Sequence, residues 1–90
     1  VDPDTIDETN LNRLVGGTLQ DVSANAAKIE ISERVIRSVV RAPEIKAYKT
    51  DWQSVIDVLK NCDVIIAGVD SVIAKDELDR FCRRYLIPFI

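Results

Sequence analysis

The sequence contains no histidine among its 90 residues. Histidine is the commonest general base near neutral pH and the commonest protein ligand for transition metals. A catalytic or metal site built on histidine is therefore excluded.

Cysteine is scarce, and the only two cysteines, Cys62 and Cys82, form no C-x-x-C pair. We predict that both are reduced and lie in the core, as in a cytosolic protein. The sequence also lacks a signal peptide and a transmembrane run, since its longest apolar stretch, residues 64–69, has only the length of a strand. We therefore expect a cytoplasmic protein that binds no membrane.

An excess of positive charge is missing as well, because the net charge is −3. This balance gives no electrostatic reason to expect a nucleic-acid partner. The acids are unevenly placed, with five acids and one arginine in residues 1–21. A cation would be favoured near that end of the chain.

Helical and extended patterns alternate along the sequence. A helix start is predicted at residues 18–21, helices at 24–41, 52–60 and 74–85, strands at 44–49 and 63–69, and strand pieces at 1–2 and 88–90. This order predicts an α/β fold, a three-layer Rossmann-like parallel sheet with flanking helices. Both ends are predicted to be truncated, since each falls within a strand.

Acidic residues follow two of the predicted strands. Asp2 and Asp70 would emerge at the carboxyl edge of a parallel sheet, where ligands bind in such folds. Asp2 is placed for a ribose hydroxyl pair, whereas Asp4 and Asp70 are placed to hold a hard cation such as Mg²⁺. The alternative is that Asp4 and Asp70 are helix N-caps.

Asn10 and Arg13 lie three residues apart, so both would face one way if the loop coils briefly. A guanidinium fork matches phosphate oxygens and an amide can orient them, although surface Asn and Arg are common. From the sequence pattern alone, Lys28 would be an ordinary solvated surface charge. Lys75, five residues after Asp70, is either a surface lysine or a second phosphate contact.

Four segments resemble the ThiF/MoeB/HesA family, which includes the catalytic cores of ubiquitin-activating enzymes. VDPDTIDETNLNR, at the start of the chain, is similar to the family pattern D-x-D-x-(I/V)-x-x-(S/T)-N-L-(N/Q)-R. DVSANAAK, from Asp21 to Lys28, resembles D-V-G-x-x-K with a longer spacer and Ser23 in place of glycine. NCDVIIAGVDS and ELDRFCRRYLIPFI resemble later family segments, so the likeness covers the whole chain in order.

The resemblance implies an ATP-dependent adenylyltransferase that activates the C-terminal carboxylate of a ubiquitin-like or sulfur-carrier protein. It implies ATP and Mg²⁺ as cofactors and assigns five residues to nucleotide binding: Asp2, Asn10, Arg13, Lys28 and Asp70. Arg13 and Lys28 would also be catalytic, and Asp4 and Asp70 would lie at the metal. Metal, arginine and lysine neutralise the phosphates without a histidine.

Several departures from the family pattern leave other functions open. The family's glycine-rich strand-turn-helix is missing before Val1, Leu14 replaces a glutamine, and Lys75 replaces an arginine. No catalytic cysteine or zinc-binding cysteine pair is present. A non-catalytic ThiF-like interaction module is the alternative. A dinucleotide-dependent oxidoreductase shares the acid after the second strand but does not require T-N-L-N-R.

The missing glycine-rich turn also predicts how residues 1–90 behave alone. That turn would supply fixed N–H donors to a nucleotide, so we expect this partial nucleotide-binding domain to be inactive in isolation. Uncovered sheet edges and apolar faces favour pairing with another chain. We expect a homo-oligomer, such as a dimer.

Overall fold

The computed structural model describes residues 1–90, and its regular structure is helical. The α-helices are α1 (Leu19–Ser23), α2 (Lys28–Val39), α3 (Ile56–Leu59) and α4 (Val72–Arg84), and 3₁₀ turns cover Glu8–Asn10 and Trp52–Val55. The chain divides into two compact units, Val1–Ser54 and Val55–Ile90, which are described separately.

The predicted three-layer parallel sheet is wrong. The chain is 46% helical with 4% strand or bridge, and its β-pairing consists of two isolated bridges, an antiparallel Thr5–Ala27 bridge and a parallel Ile65–Phe89 bridge. Strands need partners for their backbone N–H and C=O groups. Predicted strand 44–49 forms no ladder, and its Tyr48 carbonyl accepts one bond, from the Asp2 N–H at 3.1 Å. The sheet edge expected to unite Asp2 and Asp70 is therefore absent.

In the first unit, the predicted helix 24–41 is shorter than expected. α1 begins at its N-cap Thr18, as the pattern at 18–21 predicted. Asn25 then has φ 49°, a left-handed conformation that asparagine tolerates and that interrupts the helical path. α2 begins only at Lys28 and ends at Val39, before another left-handed residue, Ala42.

The core of the first unit is small. Ile6, Ala27 and Ile31 are buried. The apolar side chains of α2 are only partly covered, since Ile36 is 40% exposed and Val39 is 78% exposed.

The second unit is organised by α4. Its N-cap is Ser71, whose Oγ accepts the Ala74 N–H at 3.3 Å, so the helix begins two residues before the predicted Ala74. The buried residues of this unit are Ile65, Leu78, Cys82 and Ile87. Three backbone hydrogen bonds of 2.9–3.0 Å join residues 65–67 to 88–90, which is all the pairing that the predicted strand 63–69 makes.

Candidate functional site

Three predicted site residues meet at the start of α2. Asp2 Oδ1 accepts the Asp4 N–H at 2.8 Å, forming a turn around Pro3. The Lys28 N–H donates to the Asp4 carbonyl at 3.0 Å, and Lys28 Nζ lies 3.2 Å from Asp4 Oδ2. The Lys28 side chain is 25% exposed and that of Asp4 is 62% exposed. The Asp4 carboxylate and the Lys28 ammonium group thus form a partly exposed ion pair, to which Asp2 is joined only through the Asp4 backbone.

Asn10 lies in a capped 3₁₀ turn. Asp7 Oδ1 accepts the Thr9 N–H at 2.9 Å, and Asn10 Oδ1 accepts the Asp7 N–H at 3.1 Å. The Thr9 N–H is the main reason why the pKa of Asp7 lies below its ordinary value. The local coil predicted for Asn10 and Arg13 is therefore present, but the Asn10 carbonyl end is engaged in capping. Its NH₂ end can donate to a ligand.

Arg13 is exposed and lightly held. Its Nη1 donates to the Thr9 carbonyl at 3.4 Å, near the upper limit for a hydrogen bond. Breaking this single long bond would free the guanidinium to turn toward an anion.

A shallow groove of about 270 Å³ lies beside Asp2 in the first unit. Its lining is Val1, Asp2, Ile29, Ser32, Ile36, Ile45, Lys46 and Ala47. Isoleucine side chains supply apolar parts of the lining, Asp2 and Lys46 supply charged groups, and polar and apolar atoms contribute to it about equally.

The remaining predicted site residues, Asp70 and Lys75, belong to the second unit, and both are exposed. Asp70 directly precedes α4, but the N-cap is Ser71, so the alternative that Asp70 caps this helix is wrong. In neither unit do three or more His, Cys, Asp or Glu side chains gather in a group that could hold a metal ion.

The cysteines of the second unit are not equivalent. Both are free, but Cys82 is buried whereas Cys62 is half-buried, so only Cys82 fully matches the predicted core position. Burial raises the pKa of the Cys82 thiol, which keeps it in the unreactive protonated form at neutral pH.

Arg34 and Asp21 form an ion pair that no sequence pattern predicted. Arg34 Nη1 lies 2.9 Å from Asp21 Oδ1, and Arg34 Nη2 lies 2.7 Å from Asp21 Oδ2. Arg34 Nη2 also donates to the Gly16 carbonyl at 2.7 Å. The Arg34 fork, followed by the Thr18 hydroxyl, holds the pKa of Asp21 far below its ordinary value. Thr18-x-x-Asp21 is a readable capping pattern, but no local signal points 13 residues ahead to Arg34.

Comparison with known proteins identifies one family. The model of the ThiF family matches residues 1–90, which confirms the resemblance seen in the sequence. No curated protein and no solved structure matches the chain. None of its helices has the length and apolar character required to cross a membrane.

Proposed function

The chain belongs to the ThiF family, whose members are generally adenylyltransferases, and on this premise we propose that it forms part of an ATP-dependent adenylation site. Its substrate would be the C-terminal carboxylate of a ubiquitin-like or sulfur-carrier protein. The products would be an acyl adenylate and pyrophosphate. The proposal concerns the protein that contains this chain.

The observation that carries the proposal is the ion pair of Asp4 and Lys28, with Asp2 two residues before Asp4. Lys28 is 24 residues from Asp4 in sequence, yet their side chains are 3.2 Å apart. A lysine held beside acids is a mobile cation that can exchange its carboxylate partner for a phosphate oxygen. Asp2 borders the groove, where it could accept hydrogen bonds from the ribose hydroxyls of ATP.

The proposed reaction places negative charge where the chain has cations. A carboxylate oxygen of the carrier attacks the α-phosphorus of ATP, and the bond from that phosphorus to the pyrophosphate oxygen breaks. Arg13 and Lys28 would stabilise the charge that accumulates on the phosphate oxygens. Asn10 would orient one of those oxygens through its NH₂ group, and no proton has to be removed from the attacking carboxylate.

The residues of the chain also fit a magnesium ion carried in by ATP. Mg²⁺ at nucleotide phosphates is usually held by one or two carboxylates together with phosphate oxygens and water, so a large acidic cluster is not required. Asp4 is an exposed oxygen donor, and we assign it and Asp70 to the metal. When bound, the ion would neutralise charge on the phosphates. The assignment of Asp70 rests on its sequence motif alone.

The test is exchange of labelled pyrophosphate into ATP by the protein that contains this chain. It requires a panel of ubiquitin-like and sulfur-carrier proteins that end in glycine, each assayed with Mg²⁺ and ATP. We expect at least one carrier to support exchange and its variant lacking the last glycine to give none. Binding of carriers without exchange by any of them would favour the non-catalytic interaction module instead.

A further inference from the structure

The loop that carries Arg13 is a chain of turns with an anchor at each end. From its start, the Asn10 N–H donates to the Asp7 carbonyl at 2.9 Å, and the Arg13 N–H donates to the Asn10 carbonyl at 3.0 Å. The Gly17 N–H then donates to the Leu14 carbonyl at 3.2 Å. The first end of the loop is fixed by Asp7, whose side chain caps the 3₁₀ turn by accepting the Thr9 N–H. The backbone position of Arg13 therefore depends on what holds the far end.

The far end is held by α2. Arg34 donates to the Gly16 carbonyl at 2.7 Å, three residues after Arg13. The same guanidinium donates to both carboxylate oxygens of Asp21. Asp21 Oδ2 also accepts hydrogen bonds from the Thr18 N–H at 2.9 Å and from the Thr18 hydroxyl at 2.8 Å. Asp21 is 8% exposed, so this ion pair is shielded on the acid's side. A bidentate arginine fork fixes direction as well as distance.

We propose that Arg34 is a positioning residue: through Asp21 and the Gly16 carbonyl it fixes the loop that presents Arg13, an inference that rests on the proposed role of Arg13 at the phosphates of ATP. Arg34 itself need not touch the nucleotide. Its place on α2, the helix that begins at Lys28, ties the two proposed phosphate-binding cations to one rigid element. Small losses of alignment are costly in group transfer, since a misplacement of about 1 Å can lower a rate about 100-fold.

The experiment is a mutant cycle in the pyrophosphate exchange assay, using a carrier protein that supports exchange in the unmodified protein. Arg34→Lys keeps the positive charge for Asp21 but loses the planar fork. Arg37→Lys is the matched control, because exposed Arg37 lies on the same helix and its ion pair is with Glu33, outside the Arg13 loop. We expect Arg34→Lys to lower kcat roughly 10- to 100-fold with a smaller change in the KM for ATP, and Arg37→Lys to have no effect.

The cycle with Arg13 distinguishes positioning from general weakening of the fold. If Arg34 acts through Arg13, the effect of Arg34→Lys should nearly vanish in an Arg13→Ala background. An equal loss in both backgrounds overturns the inference and leaves the proposed function intact. Unchanged exchange in Arg13→Ala alone overturns the proposed role of Arg13, and with it this inference.

A second variant and a second measurement cover the case in which Arg34→Lys folds poorly. Thr18→Val removes the hydroxyl bond to Asp21 and the N-cap acceptor of α1 but keeps both partners of the ion pair, and it should show the same dependence on Arg13. Amide hydrogen exchange at residues 14–17 should accelerate in both variants by more than the change in global stability accounts for. Unchanged protection at these amides overturns the inference.

Discussion

At the scale of single residues, the proposed site separates groups needed for function from groups needed for folding. Arg13 makes one long hydrogen bond, to Thr9, and is exposed. Asp21, in contrast, is buried and bonded to both Arg34 and Thr18. Substitution of Arg13 should therefore change pyrophosphate exchange, whereas substitution of Asp21 should change the free energy of unfolding.

Arg13→Ala should reduce pyrophosphate exchange about 100-fold or more, because loss of one donor to developing negative charge has an effect of that size. The midpoint of urea unfolding should stay within error, since exposed residues contribute little to stability. Arg41→Ala, another exposed arginine, is the control and should retain full exchange. An Arg13→Ala protein with undiminished exchange would make Arg13 an ordinary surface residue.

Asp21 should make the fold sensitive to acid. Its pKa in the folded protein is lowered from 3.8 by Arg34 and Thr18, so its stabilising contribution is complete above pH 3.8 and is lost as the pH falls below that value. We expect the free energy of unfolding to fall on acidification in this range, and Asp21→Asn to be less stable at neutral pH with a weaker pH dependence. Urea titrations at several pH values measure both.

The control for the acid titration is Glu44→Gln, because the Glu44 carboxylate is 88% exposed and lies 3.8 Å from Lys46. Its unfolding should keep the pH dependence of the parent protein. If Asp21→Asn also keeps that dependence, the Asp21–Arg34 pair does not link folding to protons.

At the scale of elements, the fit of the Arg13 loop against α2 depends on Gly16. Gly16 has φ 82°, and an added Cβ would overlap Val35 Cγ2. Gly16→Ala should therefore lower the free energy of unfolding by about 1–2 kcal/mol from the backbone conformation alone, with a further loss from the overlap. Combining it with Val35→Ala should remove the overlap but not the backbone cost.

Gly68→Ala is the matched comparison for Gly16→Ala in a denaturant titration. Nothing lies within 4 Å of a Cβ at Gly68, so its effect should stay within about 0.5 kcal/mol. Equal effects at the two glycines would show that the loop tolerates a side chain at Gly16.

Comparison of the observed helices with the predicted ones shows which parts of the fold the sequence patterns could predict. The helix start predicted at residues 18–21 is confirmed by α1, and the amphipathic pattern correctly predicted α4 within two residues. The sheet was predicted wrongly because apolar β-branched runs such as residues 63–69 indicate an extended segment but not a neighbouring strand. The left-handed turn at Asn25 was also missed, since asparagine is compatible with both helix and turn.

The candidate site was partly predictable, because motifs identify residues that are close in sequence but not their distant partners. Motif residues Asp2, Asp4 and Lys28 were chosen from the sequence; in the structure the Asp4 and Lys28 side chains are in contact, and Asp2 reaches the Asp4 backbone. Arg34 was not, because its partners Asp21 and Gly16 are 13 and 18 residues away and no periodicity connects them. Contacts of that range depend on the path of the whole unit.

At the scale of the whole molecule, large apolar side chains remain on the surface of both units. Examples are Val39, 78% exposed, Ile66, 74% exposed, and Leu86, 89% exposed. We predict that residues 1–90 alone self-associate, because exposed apolar surface favours contact with another chain. Light scattering across a concentration series should show an average mass above that of the monomer.

Val39→Lys and Ile66→Lys should shift that distribution toward monomer, whereas Arg41→Lys, which preserves surface charge, should not. A monodisperse monomer at high concentration would contradict the prediction of self-association.

The pairing of Lys28 with Asp4 also bears on the order of folding. The two residues are 24 positions apart, so their contact requires closure of a loop whose entropic cost must be met before the contact forms. The capped 3₁₀ turn at Asp7 and helix α1 lie inside this loop, rely on local bonds and can form without the Asp4–Lys28 contact. We therefore expect the Asp4–Lys28 pair to form after these local structures, and ATP that requires this pair would bind only chains that had completed the step, drawing the folding equilibrium toward the finished state.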